Sequence, residues 1–165
     1  MRFIPTSAFG SVFDITPRML KKMGIRGVIL DIDNTLARHN DPEPLKDLDK
    51  WIASMKKSGI RLVIVSNNKA PRVSPFAERI GVPFVSDGAK PLPIGYHRAA
   101  KLMRLPKSMI CTIGDQIFTD MLGAKLYGIK PMLVIPIEPE KSVFFRIKRL
   151  AEKPFLPKTY HIRRK

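Results

Sequence analysis

The chain has 165 residues, of which 44% are hydrophobic and 27% charged, as expected for one folded domain rather than a disordered segment. We expect neither a membrane-spanning helix nor a secretory signal, and the single cysteine, Cys111, excludes a disulfide within these residues. The formal net charge is +16, and residues 141–165 contain nine of the 30 Lys and Arg against one acid, Glu152. This charge favours anionic partners, such as phosphorylated substrates, lipid headgroups or nucleic acid.

Short apolar runs alternate with helical patterns along the chain, which predicts βαβ units and a parallel sheet. Thr16 and Pro17 are typical of a helix start, and Gly24 of its end. Five strands are predicted, over 28–32, 60–65, 82–85, 109–113 and 132–135. Helices are predicted between them, over 43–58, 71–80, 93–104 and 118–127. We expect one domain over residues 1–140, with its core at about 10–136.

Polar side chains lie at or just after the ends of four of the predicted strands. In chain order they are Asp31 and Asp33, then Ser66 and Asn67, then Lys90, and then Asp115 and Asp120. Ligands of open α/β sheets bind at the carboxyl ends of the strands, so we expect these groups to lie together. Asp31 and Asp33 are two residues apart and project to the same side of an extended chain, where they repel unless a cation or shared proton compensates. Singly, each group is more often an ordinary turn or surface residue. The paired carboxylates at a strand end make this edge of the sheet a candidate metal and phosphoryl site.

These segments resemble the motifs of the haloacid dehalogenase (HAD) superfamily of phosphohydrolases over residues 25–135. The matching features are Asp-x-Asp-x-Thr at 31–35, the serine, the lysine and Gly-Asp-x-x-x-x-Asp at 114–120. The runs Asp-Asn-Thr-Leu at 33–36, Ser-Asn-Asn at 66–68 and Gly-Asp-Gln at 114–116 are similar to the bacterial YqeG proteins. Those are subclass IIIA phosphatases similar to mitochondrial phosphatidylglycerophosphate phosphatases. The resemblance implies an α/β, HAD-like Rossmannoid three-layer sandwich with a mainly parallel five-stranded sheet.

The resemblance also implies catalytic and phosphate-binding roles. Asp31 is expected to be the nucleophile that forms an aspartyl-phosphate, which divides a difficult hydrolysis into two easier steps. Asp33 is expected to protonate the leaving oxygen and then to deprotonate water. Ser66, Asn67 and Lys90 are expected to bind the phosphoryl oxygens.

The cofactor implied by the resemblance is Mg²⁺, which prefers oxygen ligands and retains some of its water. Asp31, the backbone carbonyl of Asp33 and Asp115 are expected to hold it. Asp120 is expected to support either Lys90 or the outer shell of the metal. A bound cation would offset the repulsion between the carboxylates and the charge of a phosphate together.

The spacing of the motifs leaves no room for a cap domain. Only 34 residues separate Asp31 from Ser66, and 23 separate Ser66 from Lys90, each enough for one helix and one strand. An open site suits a large substrate or one embedded in a surface. The resemblance implies phosphatidylglycerophosphate, a substrate of phospholipid biosynthesis, at the cytoplasmic face of the membrane. Two alternatives are a phosphatase of polynucleotide ends or phosphoproteins, and a basic nucleic-acid or ribosome-associated module without turnover.

The segment 141–165 is predicted to contain a basic amphipathic helix. Val143, Phe144, Ile147 and Leu150 fall on one face, with basic residues elsewhere. Such helices lie on anionic membranes, which favours peripheral membrane contact. The alternative is a helix that packs on its own domain or on a second subunit.

Overall fold

The computed structural model describes residues 8–139, 143–156 and 160–161. Its strands are β1 (Ala8–Phe9), β2 (Gly27–Leu30), β3 (Arg61–Val65), β4 (Phe84–Val85), β5 (Ile110–Gly114), β6 (Lys130–Val134) and β7 (Tyr160–His161). Its α-helices are α1 (Pro17–Lys22), α2 (Leu48–Lys57), α3 (Ala70–Ile80), α4 (Ile94–Met103), α5 (Leu122–Tyr127) and α6 (Val143–Glu152). The strands form one sheet in the order β4-β3-β2-β5-β6-β1-β7, and all their pairings are parallel.

The predicted α/β fold with a parallel sheet is confirmed, but the predicted number of five strands is wrong. The sheet gains β1, which pairs with β6, and β7, which pairs with β1 and forms the edge. Each of the two has only two residues. A two-residue strand is too short to show an alternating pattern, so only its pairing partners can reveal it.

Alternate residues of the central strands face opposite layers of helices. Val28 and Leu30 of β2 pack in the cluster that includes α1, α2 and α3. Ile29, between them, packs in the second cluster, with α4 and α5. Successive side chains of a strand point to opposite faces, so an uninterrupted apolar strand is buried on both sides. The result is the three-layer arrangement that was expected.

The register of the central strands determines where the polar groups meet. Leu30 lies between Ile64 of β3 and Ile113 of β5, so these strands end at nearly the same level. The N–H of Asp31 continues the ladder with a 3.0 Å hydrogen bond to the carbonyl of Ile113. Residues 31–90, all of which the structure describes, contain only α2, β3, α3 and β4 beside their loops. No cap domain is inserted there, as expected.

Two helices start differently from the prediction. The helix predicted over 43–58 begins only at Leu48, because the segment before it forms a bridge and a turn instead. Leu45 donates its N–H to the carbonyl of Leu36, and Pro44 forms a bridge with Ala37. The helix predicted over 118–127 begins with a π-helical turn at Ile117–Met121 and becomes α-helical at α5. Such π turns are frequent at functional sites.

Candidate active site

A buried lysine links two carboxylates at the carboxyl edge of the sheet. The Nζ of Lys90 lies 2.5 Å from Oδ1 of Asp31 and 2.6 Å from Oδ1 of Asp120. The exposed fractions of Asp31, Lys90 and Asp120 are 9%, 8% and 1%. Burial alone would lower the pKa of Lys90, but Asp120 and Asp31 outweigh it and raise that pKa above its ordinary value. The amine is therefore charged at neutral pH and fixed between the two acids.

Burial also changes the pKa of Asp31, which determines whether this carboxyl group is ionised. Burial raises the pKa of Asp31 from 3.8 to about 7; Lys90 opposes this, whereas Asp120 adds to it. A carboxylate attacks phosphorus only when it is ionised. A cation bound beside Asp31 would lower its pKa and favour the reactive form.

Three buried acids lie close enough to hold such a cation. Asp31, Asp115 and Asp120 each offer an oxygen within 4.8 Å of the others. Thr35 donates from Oγ1 to Oδ1 of Asp115 over 3.5 Å, which holds that carboxylate beside the strand end. Carboxylate oxygens are the ligands that Mg²⁺ prefers, so this donor set fits the predicted cofactor. The structure thus brings together two of the three predicted metal residues, and it adds Asp120.

The loop that carries Asp115 depends on a glycine and a tyrosine. A Cβ on Gly114 would lie 2.6 Å from both Cβ and Oδ2 of Asp120, so only glycine allows this approach. The N–H of Gln116 donates to Oδ2 of Asp120 over 3.2 Å. The hydroxyl of Tyr96, from α4, donates to the carbonyl of Asp120 over 3.1 Å. Asp120 is therefore fixed through both its side chain and its backbone.

Asp33 accepts hydrogen bonds from three donors. Nδ2 of Asn68 lies 2.9 Å from its Oδ2, and the N–H of Asn40 lies 3.0 Å from its Oδ1. Nη2 of Arg72, near the start of α3, lies 3.2 Å from the same Oδ1. The side chain of Asp33 is 13% exposed, so part of it is accessible to solvent. The predicted acid/base residue thus lies beside a cation that the sequence analysis did not identify.

Ser66 and Asn67 follow β3, and Asn67 contacts the backbone of Lys90. Ser66 is buried, and its Oγ accepts the N–H of Asn68 over 3.1 Å. Oδ1 of Asn67 accepts the N–H of Lys90 over 2.6 Å, and Nδ2 of Asn67 donates to the carbonyl of Lys90 over 3.0 Å. In this structure Asn67 fixes the backbone of Lys90. Its predicted contact with a phosphate stays a prediction.

The C-terminal helix contacts the loop that carries the acids. Glu152, only 2% exposed, accepts the N–H of Phe118 at Oε1 over 3.1 Å. Lys148 donates from Nζ to Oε1 of Gln116 over 2.6 Å. The ring of Phe155 packs edge-on against that of Phe118, with centroids 5.7 Å apart. The segment that was predicted as a separate tail therefore supports residues next to Asp115, and the predicted boundary at residue 140 stays a prediction.

The apolar face of the same helix is partly exposed. Val143, Ile147 and Leu150 are 69%, 61% and 58% exposed. The predicted face also includes Phe144, whose side chain lies outside the described residues. Among the helices that the structure describes, none combines the length and apolar character needed to cross a membrane.

Three residues at the site escaped the sequence analysis. Arg72, Tyr96 and Glu152 reach it from α3, α4 and α6, through contacts with residues 24 to 39 positions away in the chain. A local signal existed for Glu152, because a single acid among nine basic residues is unusual. Tyr96 and Arg72 fall on ordinary amphipathic helices, and nothing in their spacing separates them from structural residues.

Comparison with known proteins relates the chain to one hydrolase family. Residues 37–128 match the family described as haloacid dehalogenase-like hydrolase. This segment contains Ser66, Lys90, Asp115 and Asp120 and begins after Asp33. The chain is also 37% identical over 154 residues to the probable phosphatase YqeG of Bacillus subtilis (strain 168). That alignment covers 93% of this chain and 90% of the relative, so it includes the segment of the first two acids.

Solved structures with a similar fold include two phosphatases. The 4-nitrophenylphosphatase of Thermotoga maritima has a TM-score of 0.64 at 14% identity, and the match covers 83% of this chain and 94% of that protein. The cobalt-bound deoxy-D-mannose-octulosonate 8-phosphate phosphatase of Haemophilus influenzae has a TM-score of 0.52 at 15% identity, with 81% and 90% covered. At these identities the likeness concerns the fold alone.

Proposed function

The chain belongs to the haloacid dehalogenase-like hydrolases as an enzyme of their phosphatase type, and we propose that it hydrolyses phosphomonoesters with Mg²⁺ through an aspartyl-phosphate intermediate. The observation that carries this proposal is the charged Lys90 between Asp31 and Asp120. Phosphoryl transfer to a carboxylate requires an acid as the nucleophile and a positively charged side chain beside it. It also requires a second acid that can bind the same metal ion.

In the first step, an oxygen of Asp31 attacks phosphorus and the bond from phosphorus to the ester oxygen breaks. Asp33 donates a proton to that leaving oxygen, which departs as an alcohol. In the second step, a water molecule gives a proton to Asp33 and attacks the phosphorus of the aspartyl-phosphate. The bond to Asp31 breaks, phosphate leaves, and both acids return to their starting states.

The remaining residues bind charge and fix geometry. Lys90 neutralises a phosphoryl oxygen while its backbone is held by Asn67, and the hydroxyl of Ser66 donates a hydrogen bond to another oxygen. Mg²⁺, held by Asp31 and Asp115 with the backbone carbonyl of Asp33, would offset the charge of the phosphate and the acids when it is bound. Asp120 keeps Lys90 in position from the opposite side.

The substrate that we propose is phosphatidylglycerophosphate, whose terminal phosphate would be removed at the cytoplasmic face of the membrane. Three observations support this choice. The site has no cap over residues 31–90, the net charge of +16 attracts anionic surfaces, and α6 exposes Val143, Ile147 and Leu150 beside basic residues. The proposal includes peripheral membrane contact through 141–165 and membership of subclass IIIA, close to the mitochondrial lipid phosphatases.

The test is phosphate release by the purified protein from phosphatidylglycerophosphate in mixed micelles, with Mg²⁺ and with a chelator. p-Nitrophenyl phosphate serves as a substrate without a lipid, and Asp31→Asn as the variant without a nucleophile. We expect metal-dependent release from both substrates by the wild type and from neither by the variant. Release from p-nitrophenyl phosphate alone would contradict the lipid substrate and retain the phosphatase. No release from either would contradict the proposed function as a whole.

A further inference from the structure

The guanidinium of Arg72, which lies beside Asp33, has no part in the steps described above. Arg72 lies on the first turn of α3 and reaches Asp33 through one nitrogen only, over 3.2 Å. A guanidinium has five N–H donors, and Arg commonly binds a carboxylate or phosphate through two of them at once. The side chain of Arg72 is 29% exposed, so part of the guanidinium side chain is accessible to solvent.

The position of Arg72 relative to the reaction defines what it can contact. Asp33 must approach the leaving oxygen to protonate it, which requires a distance of about 3 Å. Arg72 is therefore on the leaving-group side of the site, whereas Lys90 is on the side of the transferred phosphoryl group, against Asp31 and Asp120. Lys90 is thus assigned to the transferred phosphoryl group, and Arg72 to the alcohol portion of the substrate.

We propose that Arg72 is a specificity-determining residue that binds a second anionic group on the alcohol portion of the substrate. The proposal rests on the proposed function, because it takes Asp33 as the acid for the leaving oxygen. The second anion is a carboxylate or a phosphate within roughly 9 Å of the ester oxygen. This is the reach of three hydrogen bonds of about 3 Å each: from the ester oxygen to Asp33, from Asp33 to Arg72 and from Arg72 to the anion. Substrates with a neutral alcohol portion lack this contact.

Asp33 retains two other hydrogen-bond donors when Arg72 turns to the substrate. Asn68 and the backbone N–H of Asn40 hold its two oxygens independently of the guanidinium. The carboxyl group therefore keeps its position while Arg72 exchanges one anionic partner for another. This arrangement allows the cation to serve recognition without displacing the acid.

Two substrates that differ in one anionic group provide the test. 3-Phosphoglycerate carries a carboxylate where glycerol 3-phosphate carries a CH₂OH group, and p-nitrophenyl phosphate reports turnover in general. The readout is the ratio of kcat/KM for 3-phosphoglycerate to kcat/KM for glycerol 3-phosphate, in the wild type, Arg72→Gln and Arg72→Lys. Arg79→Gln is the matched control: it lies on the same helix, and it pairs with Glu43 rather than with Asp33.

We expect the wild-type ratio to exceed one and Arg72→Gln to reduce it at least about tenfold, mainly through KM for 3-phosphoglycerate, as the loss of a charged hydrogen bond predicts. Arg72→Lys should recover part of the ratio, and Arg79→Gln should leave it unchanged. An equal loss on both substrates would overturn the proposal, because Arg72 would then act only through Asp33. A ratio that no Arg72 variant alters would overturn it as well. If the wild type hydrolyses none of the three esters, the proposed function fails together with this proposal.

Discussion

Asp31→Asn is expected to stabilise the metal-free protein at alkaline pH while abolishing catalysis. The side chain of Asp31 is buried, and burial raises its pKa from 3.8 to about 7 despite the opposing effect of Lys90. Asparagine has nearly the same shape as a protonated aspartic acid and never ionises. The variant therefore avoids the charge that the folded wild type must bury as the pH rises.

The sign and the size of this change in stability follow from the linkage between the ionisation of Asp31 and folding. A raised folded-state pKa stabilises the fold fully below the unfolded value of 3.8, and this stabilisation is lost as the pH rises through about 7. The interval between the two pKa values corresponds to about 4 kcal/mol. The free energy of unfolding of the variant relative to the wild type should thus increase by a few kcal/mol between about pH 4 and about pH 8. The other acids are the same in both proteins, so their contributions largely cancel.

Denaturant unfolding, followed by tryptophan fluorescence in a chelating buffer, measures this difference. Trp51 is the single tryptophan, is 8% exposed and donates from Nε1 to the carbonyl of Ile15 over 2.9 Å, so its emission should report the core. Asp49→Asn, an exposed acid on α2, is the matched control. Added Mg²⁺ should reduce the difference, because a cation offsets the buried charge. A difference that stays constant across the pH range would refute the raised pKa of the buried Asp31.

Two further substitutions test the acidic loop. Gly114→Ala should reduce turnover at least about tenfold and lower the free energy of unfolding by about 1–3 kcal/mol, since a Cβ at this buried position would lie 2.6 Å from the Cβ of Asp120; wild-type kcat in the variant would contradict this tight approach. Glu152→Ala should weaken Mg²⁺ binding, measured by calorimetry, about tenfold, because the N–H of Phe118 loses its 3.1 Å acceptor. Glu152→Gln keeps an acceptor oxygen and should restore most of the affinity, whereas equal affinity in the alanine variant would show that the loop does not need α6.

The strand ends were predictable because they depend on patterns that are local in the sequence. Strands that are buried on both faces have continuous apolar sequences. Asp31, Ser66 and Asp115 follow directly after three such strands. Parallel strands that end at one level bring the residues after them together. The expected cluster of polar groups at one edge is therefore what the structure contains.

The helix and strand boundaries were less predictable where distant segments compete. Leu45 has a helical spacing with Leu48, yet its N–H donates to the carbonyl of Leu36 and Leu45 lies outside the helix. Tertiary pairing overrides local helical periodicity at such positions. The two-residue strands Ala8–Phe9 and Tyr160–His161 are likewise defined by the neighbours they pair with.

The supporting residues were unpredictable for a related reason. Arg72, Tyr96 and Glu152 act on site residues through contacts between separate elements. A sequence pattern indicates that a helix has a buried face, but not which polar atom on that face meets a strand end. Only the packing of α3, α4 and α6 against the loops brings these side chains to the site.

Trapping the covalent intermediate tests the central claim most directly. The wild type and Asp31→Asn would be mixed with radiolabelled p-nitrophenyl phosphate and Mg²⁺, quenched in acid within one turnover, digested and analysed by mass spectrometry. The account predicts a labelled, hydroxylamine-sensitive acyl phosphate on the wild-type peptide that contains Asp31, and no label on the variant. Rapid release of phosphate by the wild type with no labelled peptide, or a label on another residue, would contradict it.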